Sequence, residues 1–335
     1  MRSTRRNMLA GTLASMGCLA VGNRPTLAAD TQARVAGLFT VPATDRWANR
    51  IHASAVNWTA SSNASYEFWE QIPPSDYEEV FRAVSARGYD LIIGDIFSTE
   101  KLARELAINF PQQAYLMGSS FLPPTGHPYF ATYQENFIQD ASYLTGMVAG
   151  GMTQTNILGL IGGYSTAATN RLMNAYLAGA REVNPNVDAF VDFLDEWSNV
   201  ERARALAESQ IENGADILYA DRQGVAEAAR EKGALSIGVL ASSGASYADT
   251  EITAAVWHFE PTIHAALSLV SVGRFRTADY SAYSRLQYYG CSLAPLREFQ
   301  SQLDEEALEL VATREFELRT GISLVANNEE YPRES

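Results

Sequence analysis

Apolar side chains along the chain fall into two alternating patterns. Short runs that are apolar on both faces occur at 34–40, 66–71, 90–94 and 113–117, and between them lie stretches with helical spacing at 45–57, 75–87 and 99–110. A glycine-bearing helix at 142–152 then leads through a polar turn into a second series. Its strands are predicted at 157–161, 187–193, 216–220 and 235–239, and its helices at 168–183, 199–213 and 224–232. The last part of the chain carries a strand at 252–257, a helix at 261–272, a polar section with Tyr280, Tyr283, Tyr288 and Tyr289, and a terminal helix at 304–319. Strands alternating with helices in two successive sets predict an α/β protein of two Rossmann-like lobes, with a ligand cleft between them and several crossover segments. The expected division is 30–137 plus about 253–290 for the first lobe, and 138–252 plus about 291–335 for the second.

In open α/β sheets ligands bind at the carboxyl ends of the strands, so the loops there hold the candidate site residues. On the first lobe these are Trp47 and Asn49 in the first turn of a helix, Asp95 and Phe97 after the third strand, and Ser119 after the fourth. On the second lobe they are Tyr164, Trp197 and Asp221, and Trp257, at the end of the strand at 252–257, completes the candidate set. Trp58 and Trp69 fall away from those loops and read as core residues. His52, His127, His258 and His264 lack the close spacing of metal ligands, so no metal or cofactor is expected. Gly150-Gly151 and Gly162-Gly163 are followed by no Lys-Ser or Lys-Thr, so they read as helix packing and a tight turn rather than a phosphate loop.

Composition narrows the partners. The chain has 335 residues with a formal charge of −14, which argues against nucleic acid, because phosphate binding needs a basic face. Residues 1–29 read as an export signal: Arg5-Arg6 precede a short apolar run in a twin-arginine-like pattern, and Ala28 and Ala29 offer a cleavage site. Cys18 lacks the leucine expected three residues before a lipidated cysteine, which argues against a lipid anchor. With Cys18 removed, Cys291 stands alone and no disulfide is expected. No later apolar run is long enough to span a bilayer, so the mature chain is expected in the periplasm, without membrane insertion and as a monomer.

Taken in order, YLTGMVAGGMTQTNILGLIGG, AYLAGAREVNPNV, ENGADILYADRQGVAEAAREKGALSIGV and the closing SLAPL resemble the basic membrane protein family, over about residues 34–296. The resemblance implies the periplasmic-binding type I fold and a substrate-binding protein of an ABC importer, whose permease in the inner membrane would be its partner. Purine-nucleoside-binding members hold the base between two aromatic rings, and Trp47 and Trp197 fall where those two phenylalanines lie. The members' ribose anchors are a carboxylate, an aspartate and a lysine. The corresponding places here carry Gly118 or Ser119, Leu240, and Trp257 or His258. Loss of all three favours a free purine base, adenine-like, over a nucleoside, with Asn49, Asp95, Ser119, Tyr164 and Asp221 available for the base edge.

Two other classes are weighed against this. A nucleoside-processing enzyme would need a nucleophile with a positioned base or a clustered aspartate set, and no such constellation stands out. A repressor with the same lobes would carry a basic helix-turn-helix where the export signal lies.

Overall fold

The computed structural model describes residues 32–120, 122–123 and 126–333. The predicted export signal, its expected cleavage site and Cys18 lie outside them. The first lobe is built on β1 (Ala33–Leu38), β2 (Ala64–Trp69), β3 (Leu91–Asp95), β4 (Tyr115–Gly118) and β5 (Phe130–Tyr133), with α1 (Arg46–Ala60), α2 (Tyr77–Ser85) and α3 (Glu100–Ala107) between them. These five strands form a parallel sheet in the order β2-β1-β3-β4-β5. A 3₁₀ turn at Glu135–Ile138 runs into α4 (Gln139–Met152), which opens the second lobe.

That lobe contains β6 (Ile157–Gly162), α5 (Ala167–Val183), β7 (Asp188–Phe193), α6 (Val200–Glu212), β8 (Ile217–Ala220), α7 (Val225–Lys232), β9 (Leu235–Leu240), β10 (Glu251–Trp257) and β11 (Cys291–Leu293). Its sheet runs β11-β10-β9-β8-β6-β7, parallel except for the antiparallel β11. The strand expected to return to the first lobe therefore stays in the second. β10 pairs with β9, and only after it does the chain go back, where α8 (Glu260–Ser271) follows and Asp279 bridges to Thr132 beside β5. Strand β5 had no expectation, since four residues in a loop-rich stretch carry too little periodicity.

Each sheet is covered on both faces. Outside the first sheet, α2 and α3 bury Tyr77, Phe81, Val84 and Leu106 against Ile92, Tyr115 and Phe130. Outside the second, Ala203, Ala207, Val225 and Ala229 of α6 and α7 meet Ile161 and Leu218. The third cluster is shared, running from α1 and the inner faces of β1 and β3 through α4 and α5 to β6 and β10. At its centre α4 and α5 approach within backbone contact. A Cβ on Gly146 would lie 1.9 Å from the Tyr176 carbonyl oxygen, and one on Gly150 2.3 Å from that of Ala180. Gly150 thus serves the helix packing expected of it. The terminal helix α9 (Glu305–Thr320) packs on α4, and the segment after it lies along α5, where Asn170 and Asn174 donate to the carbonyls of Glu329, Asn328 and Glu330.

Candidate functional site

The carboxyl ends of both sheets face one cavity of about 390 Å³. Its first-lobe wall holds Thr40 and Val41 after β1, Trp47 in α1, Pro73 and Pro74 after β2, Asp95 and Phe97 at the end of β3, and Ser119 after β4. The second lobe supplies Thr169 and Leu172 of α5, Trp197 before α6, Tyr219 and Asp221 at the end of β8, and Leu240 at the end of β9. The volume lies toward the lower end of the roughly 300–1,000 Å³ typical of small-molecule sites.

Trp47 is set by its own helix start. Asp45 is the N-cap of α1 and accepts hydrogen bonds from the backbone N–H groups of Trp47 (2.9 Å) and Ala48 (3.2 Å), which fixes the first turn. The indole lies parallel to the Tyr133 ring, with centroids 6.1 Å apart and planes 6° from parallel, and its outer edge occupies the space left by Gly118. A Cβ at Gly118 would fall 2.4 Å from Trp47 Cη2. Trp197 is seated the same way: a Cβ at Gly163 would fall 2.4 Å from its Cε3. Gly163, expected in a tight turn, therefore makes room for a ring. The Arg222 guanidinium lies over Trp197, 5.2 Å from the ring centroid, while its Nε and Nη2 each donate to the Asp221 carboxylate at 3.0 Å and its Nη1 to the Trp197 carbonyl at 3.3 Å. At the mouth Phe97 of the first lobe meets Trp197 of the second edge-on, 5.6 Å between centroids, so the two lobes touch across the cavity.

Asp95 is the buried polar group of the first-lobe wall. Its carboxylate accepts the Thr40 hydroxyl at 2.6 Å and the Phe97 N–H at 3.0 Å. Burial pushes its pKa above the ordinary carboxylate value, and the hydrogen bonds from Thr40, Phe97 and Ser119 hold it down only in part. A carboxylate with remaining acceptor capacity suits an N–H donor on a ligand edge. Ser119 adopts a left-handed backbone (φ 59°), as does Leu240 (φ 64°), so both strand ends turn sharply at the cavity rim.

Six of the nine expected residues line this cavity: Trp47, Asp95, Phe97, Ser119, Trp197 and Asp221. Three do not. Asn49 turns back along α1 and donates to the Ala43 carbonyl at 3.1 Å. Tyr164 stands beyond Trp197, edge-on to it at 5.0 Å. Trp257 is wholly buried behind Trp47 at 5.9 Å, its indole N–H donating to the Ser284 hydroxyl. Thr40, Pro73, Pro74, Thr169, Leu172 and Tyr219 had no expectation, because their residue types carry no chemical signal. The strand-end rule could have found Thr40.

A two-lobe molecule with a cavity between the carboxyl ends of its two sheets has the periplasmic-binding type I fold. Residues 47–283 match the sequence profile of the family described as "ABC transporter substrate-binding protein PnrA-like", and the chain belongs to that family. Among similar proteins, an ABC transporter nucleoside-binding protein, BmpA, of Lactococcus lactis is 26% identical over 173 residues, covering 50% of this chain and 48% of that one. A purine-binding protein of Brucella abortus is 22% identical over 189 residues, covering 56% and 53%. These matches span about half the length of the curated relatives. The structure of an ABC transporter solute-binding protein from Conexibacter woesei superposes with a TM-score of 0.71 at 22% identity, over 88% of this chain and 99% of that one. That likeness supports the fold.

Proposed function

We propose that the chain is the extracytoplasmic solute receptor of an ABC importer and that its ligand is a flat heterocycle of purine-base type. The observation that carries this reading is the pair of tryptophans, one from each lobe, each seated in space left by a glycine and both lining one cavity with Asp95. Stacking on an aromatic face contributes about 1–3 kcal/mol per base and is available to any base. A carboxylate acceptor at the rim then distinguishes rings by their N–H and amino groups.

Three positions favour the free base over its nucleoside. Gly118 is filled by the Trp47 edge, Leu240 presents an apolar side chain to the cavity, and Trp257 is sealed behind Trp47, so none offers a charged partner to ribose hydroxyls. The purine-binding and nucleoside-binding relatives support the ligand class. In this reading the lobes close on the ligand and the closed outer face is what a membrane permease recognises. Titration of tryptophan fluorescence with adenine, guanine, hypoxanthine, adenosine and guanosine tests it. A base binding more tightly than its nucleoside is the expected result; equal affinity would remove the preference for the base, and no response to any of the five would remove the purine.

A further inference from the structure

Beside the cavity, α1 carries two arginines one turn apart, Arg46 and Arg50, and both reach from the first lobe into the second. The Arg46 guanidinium donates through Nη2 to the carbonyls of Val239 (2.7 Å) and Ala241 (3.3 Å), and through Nη1 to that of Ala220 (3.3 Å). Arg50 Nε donates to the Trp257 carbonyl at 2.7 Å. The acceptors are backbone oxygens at the carboxyl ends of β8, β9 and β10. Among the described residues Arg46 has no carboxylate within ion-pair distance, and its charge is set among Asp221, Arg222, Glu251 and Glu227 farther off. Arg46 is partly buried, and a guanidinium shielded from water and satisfied by carbonyls alone is costly unless the geometry is held. Here it is held by strand ends belonging to the other lobe.

The position is what gives these bonds a role. Arg46 precedes Trp47 in the chain, and its acceptors flank Asp221 and Leu240, which line the cavity. Separation of the lobes would strip the guanidinium of all three carbonyls at once. It would also withdraw Asp221, Leu240 and Trp197 from Trp47.

The geometry points to Arg46 as the positioning residue of closure: a latch that holds the second lobe's strand ends against α1, keeps the two lobes together without ligand, and thereby raises ligand affinity without touching the ligand. A protein whose binding-competent state is only partly populated binds more weakly in proportion to that fraction. Removing the latch lowers the fraction. Arg50 has its acceptor on the last residue of β10, where the chain leaves for the first lobe, and ties the base of the same closure.

The test compares the wild type with Arg46→Gln and Arg46→Lys. In ligand-free small-angle X-ray scattering, Arg46→Gln is expected to give a larger radius of gyration, with Arg46→Lys between it and the wild type, since an ammonium cannot span three carbonyls as a fork does. Thermal midpoints should stay close together, because Arg46 packs into the core of neither lobe. Adenine affinity of Arg46→Gln should fall about tenfold or more. Identical scattering for wild type and Arg46→Gln would overturn the latch, and so would a lowered midpoint with unchanged scattering, which would mark a merely structural role. Should no purine bind the wild type, the ligand reading fails while the scattering comparison still decides the latch.

Discussion

Replacing Gly118 with alanine tests whether the Trp47 ring is held where the binding reading needs it. The new methyl would lie 2.4 Å from Trp47 Cη2, 2.8 Å from Cζ2 and 2.9 Å from Tyr133 Cε2. The closest of these is about 1 Å short of ordinary carbon contact, and all three belong to flat rings that cannot fold away. Tyr133 is fixed by its own hydroxyl, which donates to the Gly94 carbonyl at 3.0 Å, so the indole is the part that moves. Overpacking of this kind costs about 1–3 kcal/mol. A fall of about 1–5 °C in the thermal midpoint follows for a chain of this size. Base affinity should drop with it, because the ring is pushed from its seat into the cavity. The decisive measurement is a double-mutant cycle with Trp47→Phe. A phenyl ring stops short of the atoms that clash, so Trp47→Phe/Gly118→Ala should be more stable than the two single effects predict by about 1 kcal/mol or more. Additive effects in the cycle, measured by urea unfolding followed by circular dichroism, would refute the claim that ring and glycine occupy one space.

Three further outcomes are expected. Trp47→Ala and Trp197→Ala should each weaken base binding roughly 5- to 150-fold if each ring contributes a stacking face, and unchanged affinity in both, measured by calorimetry, would end the two-ring reading. Because burial raises the Asp95 pKa, this carboxylate takes up its proton at a higher pH than the ordinary 3.8, so base affinity should decline on acidification before surface carboxylates titrate. Asp95→Asn should bind weakly and lose that pH dependence in a titration series. The stability sign runs opposite: ionised Asp95 costs the fold free energy at neutral pH, and this cost fades as pH falls through its raised pKa toward 3.8. Gly146→Ala would place a methyl 1.9 Å from the Tyr176 carbonyl oxygen, between two helix backbones, and should lower the thermal midpoint more than Gly118→Ala does.

Much of the architecture was legible because parallel strands buried on both faces leave uninterrupted apolar runs, and β1, β3, β6, β8 and β9 all have them. Which sheet takes β10 was not legible. Its Ile252 and Val256 would serve either lobe, and only its pairing with β9 decides. In the cavity, Trp47, Asp95 and Trp197 could be found because rare or charged residues at strand ends draw notice. Leu172 and Pro73 could not, since their types are common in any core or loop. Asn49 was misread because proximity to Trp47 in sequence says nothing of where its amide turns, and it turns to Ala43. Arg46 left no signal at all: its partners are backbone oxygens some 174 to 195 residues away, which no residue type announces.

The glycine under Trp47 also sets an order on the chain's history. A lineage moving from indole to phenyl at position 47 can lose the larger ring first and leave a small void at Gly118, a loss a stable protein tolerates. The reverse order puts a side chain into occupied space before the ring has gone. The pair is therefore an ordered gate: homologues with a phenyl ring at 47 and a retained glycine at 118 can exist as stepping stones, whereas an indole beside a substituted glycine is disfavoured in either direction.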